Sequence, residues 1–282
     1  YTEKFYAPTN TQLTEKSSRG LYGITRTNDK QLYADFLVNV NKMFGETISL
    51  QPNDGGSFSD IRTDAMKVRR PIADGTDSFK GETVGLTNFF AIQNLSPSKT
   101  ERMQEGWREQ TQSIFASAEL GYKSTYYITL TGRNDWPSQL AGPNSKSKSF
   151  FYPSVGASVV LSELMPKLNK DYLSYMKLRG SWASVGSAFG RYLANPRYEW
   201  TANSAQWSIM TQYPLYNLKP ERTQSFEVGL TMRFLKNFDL DITYYNAKTM
   251  NQTFNPQLPD SGWSAMYIQT GAVRNQGIEL SL

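Results

Sequence analysis

Apolar and polar residues alternate with a period of two in several short runs along the chain. The clearest is 224–234, where Phe226, Val228, Leu230, Met232 and Phe234 are interleaved with Ser225, Glu227, Gly229, Thr231 and Arg233. Successive side chains leave a β-strand on opposite sides, so this spacing predicts a strand with one apolar and one largely polar face. After 235–237 the same period resumes, with Phe238, Leu240, Ile242 and Tyr244 set between Asp239, Asp241, Thr243 and Tyr245. The two runs predict a β-hairpin. A second hairpin is predicted from 113–122 and 125–134 around Lys123 and Ser124, with Ile114, Ala116, Ala118 and Leu120 on one face, continued by Tyr126, Ile128 and Leu130. Further strands are expected at 31–41, 47–51, 152–161, 175–185 and 277–282.

The connections are lopsided. Long polar stretches at 135–151, 186–223 and 249–270 follow alternate strands, while the opposite strand ends carry the tight turns; 162–174 is the exception. Outer-membrane barrels have this arrangement, with short periplasmic turns and longer extracellular loops. A soluble β-sandwich, whose strands average about five or six residues, stays open on pattern alone.

Composition then narrows the chemistry. The 282 residues contain no His and no Cys. That excludes a Ser-His-Asp or Cys-His nucleophile, an H-E-x-x-H zinc site, a cysteine metal site and a disulfide framework within this chain. No phosphate-cradling glycine motif is present. The net charge of +5 is small, and the densest basic cluster, 67–70 ahead of Pro71, lacks interleaved aromatics, so no nucleic-acid partner is expected. No run of about 18 apolar residues occurs, which excludes a transmembrane helix by hydropathy but not barrel strands, which cross a bilayer in about 9–11 residues. Asp239-Leu240-Asp241 does not open an EF-hand, because Tyr244 and Met250 stand where Gly and Glu are needed. A turn at 53–56 (Asn-Asp-Gly-Gly) followed by Asp60 reads as an ordinary polar turn, with a loop site for a cation as the lesser alternative. No metal or cofactor is otherwise expected.

Several short motifs follow one another in a distinctive order: 131–136 (TGRNDW), 151–155 (FYPSV), 178–186 (LRGSWASVG), 218–223 (LKPERT), 226–230 (FEVGL), 244–246 (YYN) and 275–280 (NQGIEL). In order and spacing the set resembles the barrels of the SusC/RagA family of TonB-dependent transporters, clearly from about Glu105 onward. The resemblance implies an all-β fold, an antiparallel transmembrane β-barrel of 22 strands with a plugged lumen. Residues 1–282 would form one partial barrel domain of roughly nine or ten strands, because an open strand edge in lipid leaves backbone groups unsatisfied. The plug domain and the closing strands would lie outside this chain. The implied function is TonB-dependent import of an oligosaccharide or oligopeptide across the bacterial outer membrane, without catalysis. The implied partners are a SusD-like surface lipoprotein acting as a lid, TonB acting through the plug, and outer-membrane lipid. The rivals are a scaffold for surface lipoproteins, a passive porin and a soluble carbohydrate-binding sandwich.

Two residue sets follow. Arg133, Arg179, Glu227, Arg233, Asp239, Asp241, Tyr245 and Glu279 are expected to face the lumen, since their neighbours in the alternation are apolar. Trp136, Trp200, Trp207, Tyr213, Tyr216, Trp263 and Tyr267 fall in the long connections as candidate ligand-binding aromatics, with loop packing or an interfacial girdle as their structural alternative.

Overall fold

In the computed structural model the described residues are 1–8, 19–73, 85–96, 101–165, 167, 169–194, 198, 200–201, 206–207, 213, 216–235, 237–256 and 266–282. They are mostly antiparallel β, with almost no helix. In chain order the strands are β1 (Thr2–Ala7), β2 (Leu21–Asn39), β3 (Lys42–Phe44), β4 (Ile48–Pro71), β5 (Glu101–Tyr122), β6 (Tyr126–Pro137), β7 (Phe150–Val160), β8 (Leu173–Ser187), β9 (Trp200–Thr201), β10 (Gln206–Trp207), β11 (Glu221–Phe234), β12 (Phe238–Met250), β13 (Thr253–Phe254), β14 (Ile268–Gln269) and β15 (Ala272–Ser281). A single helical turn, α1 (Leu161–Leu164), lies between β7 and β8. The main ladder runs β1-β2-β4-β5-β6-β7-β8-β11-β12-β15, with β3 paired to β4. Every strand therefore neighbours the next long strand in sequence, an up-and-down meander.

The chain divides into two compact units, 1–32 with 59–109 and 33–58 with 110–282, and β2, β4 and β5 contribute residues to both. The first unit has a small core of Ala7, Tyr22, Ile72, Ala73 and Leu95. Asn94 ties its connection together, accepting from the Leu86 N–H at 2.8 Å and donating to the Leu86 and Phe89 carbonyls at 2.8 and 2.7 Å. Arg108 forks onto Asp60 with two bonds from Nε, at 2.9 and 3.1 Å, and one from Nη2 at 2.5 Å.

The second unit shows why the predicted hairpins form. Its turns at 123–125 and 235–237 place Lys123, Ser124 and Leu235 at positive φ, the left-handed geometry that tight two- or three-residue reversals demand. At the other end the connections 138–149, 188–220 and 251–271 are long. They are not bare loops: β9 pairs with β10, β13 pairs with β14, and a core of Leu140, Phe189, Leu193, Ala194 and Leu218 packs three connection segments together, with Phe150 and Tyr267 against it.

Several strands exceed their predicted bounds. The run expected at 47–51 belongs to a strand of 24 residues, and 113–122 is the second half of one of 22. The candidate cation turn at 53–56 is corrected: those residues lie inside β4, and Asp60 is taken by Arg108. Among the described residues no group of three or more acidic, His or Cys side chains could hold a metal.

Candidate functional site

Directly paired residues of antiparallel strands send their side chains to the same side of a sheet. The registers therefore sort the second unit into two faces. One cross-strand row reads Tyr122, Tyr126, Val159, Leu178, Leu230, Ile242 and Leu280; the next reads Leu120, Ile128, Ala157, Gly180, Val228, Tyr244 and Ile278. The row after that begins Ala118, Leu130, Val155, Trp182 and Phe226. The intervening rows are polar: Glu119, Thr129, Gly156, Ser181, Glu227, Tyr245 and Gly277 form one, and Gly121, Tyr127, Ser158, Arg179, Gly229, Thr243 and Glu279 the next. Extending the same parity by whole pairs puts Arg133, Arg233, Asp239 and Asp241 on this polar face too. All eight wall residues singled out from the sequence thus share one side of the sheet.

Two charged clusters organise that face. Arg179 on β8 reaches across β11 to Asp241 on β12, donating from Nη1 and Nη2 to its two carboxylate oxygens at 2.8 Å each. Thr231 and Thr243 complete the group: Arg179 donates to their hydroxyls at 2.6 and 2.7 Å, and both hydroxyls donate onward to Asp241 at 2.7 and 3.1 Å. The guanidinium can cross β11 only because residue 229 is glycine, where a Cβ would stand 2.6 Å from Arg179 Nε. A bidentate pair of this kind fixes three strands at once. The second cluster joins Arg133 to Asp135 at 2.8 Å and to the Ser113 hydroxyl at 2.8 Å, while the Tyr152 hydroxyl donates to the other Asp135 oxygen. Arg133 also lies over the Phe115 ring, 5.4 Å from its centroid. Sequence reasoning missed Asp135 and Tyr152 because it ended β6 at Asn134, three residues before Pro137, and did not sort 152–161 by face. Glu119 and Lys177 were legible from the parity of their own strands. Between the clusters lies a hollow of about 310 Å³ whose floor includes Gly156 and Ser181, with Glu119 and Glu227 at its two ends.

The candidate ligand aromatics separate into different roles. Trp136 is corrected from loop to strand: it lies in β6 opposite Gln112, on the apolar side, and lines a shallow hollow with Phe36, Phe58 and Ile114. That is a strand position on the apolar face rather than a loop tip. Trp200 and Trp207 are direct partners in the β9-β10 ribbon, edge to face at 5.4 Å between ring centroids, and both are exposed. Tyr213 and Tyr216 are exposed as well. Tyr267 is partly buried against the loop core. Trp263 lies outside the described residues.

The family model for the β-barrel of TonB-dependent receptor-like proteins matches residues 1–282. A TonB-dependent receptor of Formosa agariphila is 25% identical over 271 residues, an alignment covering 93% of this chain and 26% of that protein. Among solved structures, the RagAB peptide transporter superposes over 99% of this chain and 30% of its own, with a TM-score of 0.76 and 18% identity. The ferric enterobactin receptor of Pseudomonas aeruginosa covers 93% of this chain and 37% of its own, at a TM-score of 0.55 and 14% identity. The chain thus spans about a quarter to a third of the length of such relatives. A two-faced antiparallel meander with long connections at one end and tight turns at the other, matched along its whole length by that family model, belongs to the β-barrel of the TonB-dependent receptor family of the bacterial outer membrane.

Proposed function

We propose that this stretch of barrel wall serves TonB-dependent import of an oligosaccharide or oligopeptide, with its polar face toward the lumen and its apolar face toward lipid. The observation that carries the reading is the sorting of the two faces. On one side are two rows without a charged or amide side chain across seven strands, and a third that is apolar across five before it reaches Asn246 and Gln276; on the other are charged, hydrogen-bonded rows. A soluble sheet half-covered by a second layer would bury its apolar side, whereas here Ile128, Leu178, Val228, Ile278 and Leu280 are all exposed in the chain. Lipid is the solvent that suits them.

The Arg179 and Arg133 clusters then stiffen the wall from inside the lumen, and Glu119 and Glu227 offer acidic contacts to whatever passes or plugs it. Trp200 and Trp207 present flat apolar surface on the loop side, suited to a sugar ring or a peptide side chain and to a SusD-like lipoprotein closing over the barrel. The likeness to a peptide transporter supports the import reading, and TonB would act through a plug outside these residues.

The test uses the full-length protein in cells with and without TonB, offered labelled oligopeptides or oligosaccharides. Import expects uptake of one class that vanishes without TonB. Lipoprotein capture with no uptake of either class would leave the scaffold reading; uptake that persists without TonB would leave the porin.

A further inference from the structure

The apolar face is not smooth. Ala157 on β7 and Gly180 on β8 are direct partners, two small residues side by side in the middle of that face. Their cross-strand neighbours are Ile128 and Val228, and the next pair toward the tight-turn end is Val159 with Leu178. The result is a pit of about 530 Å³ with almost wholly apolar walls.

Nothing in the backbone requires glycine there. A Cβ on Gly180 would meet only the Glu227 carbonyl oxygen, at 3.8 Å, and the residue is not among those at positive φ. At several other glycines of this sheet a neighbour's side chain lies across the space, the ring of Tyr127 over Gly121, Phe151 over Gly132 and Arg179 over Gly229, whereas Gly156 on the polar face is open and floors the hollow there. Over Gly180 none does. A close-packed structure fills such a space unless something else occupies it.

The position of the pit identifies an occupant. It opens on the apolar face and runs to Tyr126, beside the tight turn at Lys123 and Ser124. Tyr122 and Tyr126 flank that turn with ring centroids 6.3 Å apart, and the Lys123 ammonium stands 5.3 Å from the Tyr122 ring. Aromatic pairs with an adjacent cation mark the level where acyl chains give way to headgroups, and tight turns mark the periplasmic rim. That leaflet consists of glycerophospholipid, with lipopolysaccharide confined to the other. We propose that the pit holds one acyl chain of a periplasmic-leaflet glycerophospholipid, whose phosphate is paired with Lys123. The proposal rests on the apolar face meeting lipid.

The full-length transporter, extracted in mild detergent and washed, is examined by native mass spectrometry. Wild type is expected to retain a species with the mass of a two-chain phospholipid. Gly180→Leu, which fills the pit, should abolish that retention while uptake and heat-modifiable gel mobility stay unchanged. Lys123→Gln should weaken it about fivefold, the worth of one cation near an anionic headgroup. Should Gly180→Leu fail to assemble, Ala157→Val gives a graded filling with a graded loss expected. Equal retention in wild type and both filled variants would overturn the proposal. So would a retained mass matching lipopolysaccharide or a polycyclic lipid, or a change of oligomeric state on filling, which would assign the pit to a second copy of the protein. A spin label on Leu230→Cys separates the premise from the proposal: a label relaxed by lipid-dissolved oxygen, together with unchanged lipid retention, defeats the pit alone.

Discussion

Replacing Leu230 by Arg tests the facing of the whole sheet. On β11 the apolar positions run Phe226, Val228, Leu230, Met232 and Phe234. Eight residue steps at about 3.3 Å make roughly 26 Å of strand, which a tilt of about 40° reduces to a height of roughly 20 Å, close to the apolar band of such barrels. Phe234 stacks on Phe238 at 5.5 Å beside the turn, and Phe226 pairs with Trp182 toward the other end, so both limits carry aromatic rings. Leu230 is the midpoint. It is paired on either side with Leu178 and Ile242, leaving an arginine no polar partner on that face. Leu230→Arg should destabilise the assembled barrel by roughly 2–4 kcal/mol, the cost of a cation at the midplane. Ser181→Arg is the matched control: Ser181 is exposed on the polar face and directly paired with Glu227, and its replacement should stay within about 0.5 kcal/mol. Both are read by equilibrium unfolding of the full-length protein in phospholipid. A cost for Ser181→Arg equal to that of Leu230→Arg would refute the assignment of the faces. So would a spin label on Leu230→Cys shielded from oxygen and from water-soluble relaxation agents alike, since a side chain hidden from both lies in a protein core.

Gly229→Ala should displace the Arg179 guanidinium and lower resistance to denaturant as Asp241→Asn does, with the double variant little worse than either; additive losses would show that glycine and ion pair act separately. Thr231→Val, which keeps shape but removes a hydroxyl bonded to both Arg179 and Asp241, should weaken the same cluster less than Asp241→Asn, and an equal or larger loss would contradict that ranking. Trp200→Ala and Trp207→Ala should each raise the cargo concentration for half-maximal uptake about tenfold, or about 1.4 kcal/mol, with folding intact. Trp136→Ala, on the apolar side, should instead leave uptake unchanged and reduce barrel stability.

Legibility from sequence followed the solvent on each side of a strand. Where one face meets lipid and the other a polar interior, alternation is strict, and the runs in the second half of β5 and in β6, β11 and β12 could be read with their faces. The first half of β5, Glu-Arg-Met-Gln-Glu-Gly-Trp-Arg-Glu, has mostly exposed residues on both sides, so no period-two signal survives. The stretch 51–57 in β4 misled for a different reason. Its Asn-Asp-Gly-Gly sequence is turn chemistry, but the strand continues because a neighbour's ring lies against each glycine, Phe115 over Gly55 and Phe36 over Gly56. Tertiary packing overrides the local preference there. The ribbon that pairs Trp200 with Trp207 had no readable signature either, since two-residue strands are too short to show a period.

Glycine therefore has two meanings within this wall, and alternation distinguishes neither. At Gly229 the missing side chain is filled from the neighbouring strand, and the filling is the Arg179 bridge that joins β8 to β12. At Gly180, one strand away and on the opposite face, nothing from the protein enters the space. The two also differ in what surrounds them. On the polar face a strand can spare a side chain because a charged neighbour gains hydrogen bonds by crossing it, and those bonds hold the crossing in place. On the apolar face Val228 and Ile128 could gain only dispersion by leaning inward, while acyl chains supply the same contacts without distorting a rotamer. The space at Gly229 is thus closed by the protein, and the space at Gly180 is left to the lipid.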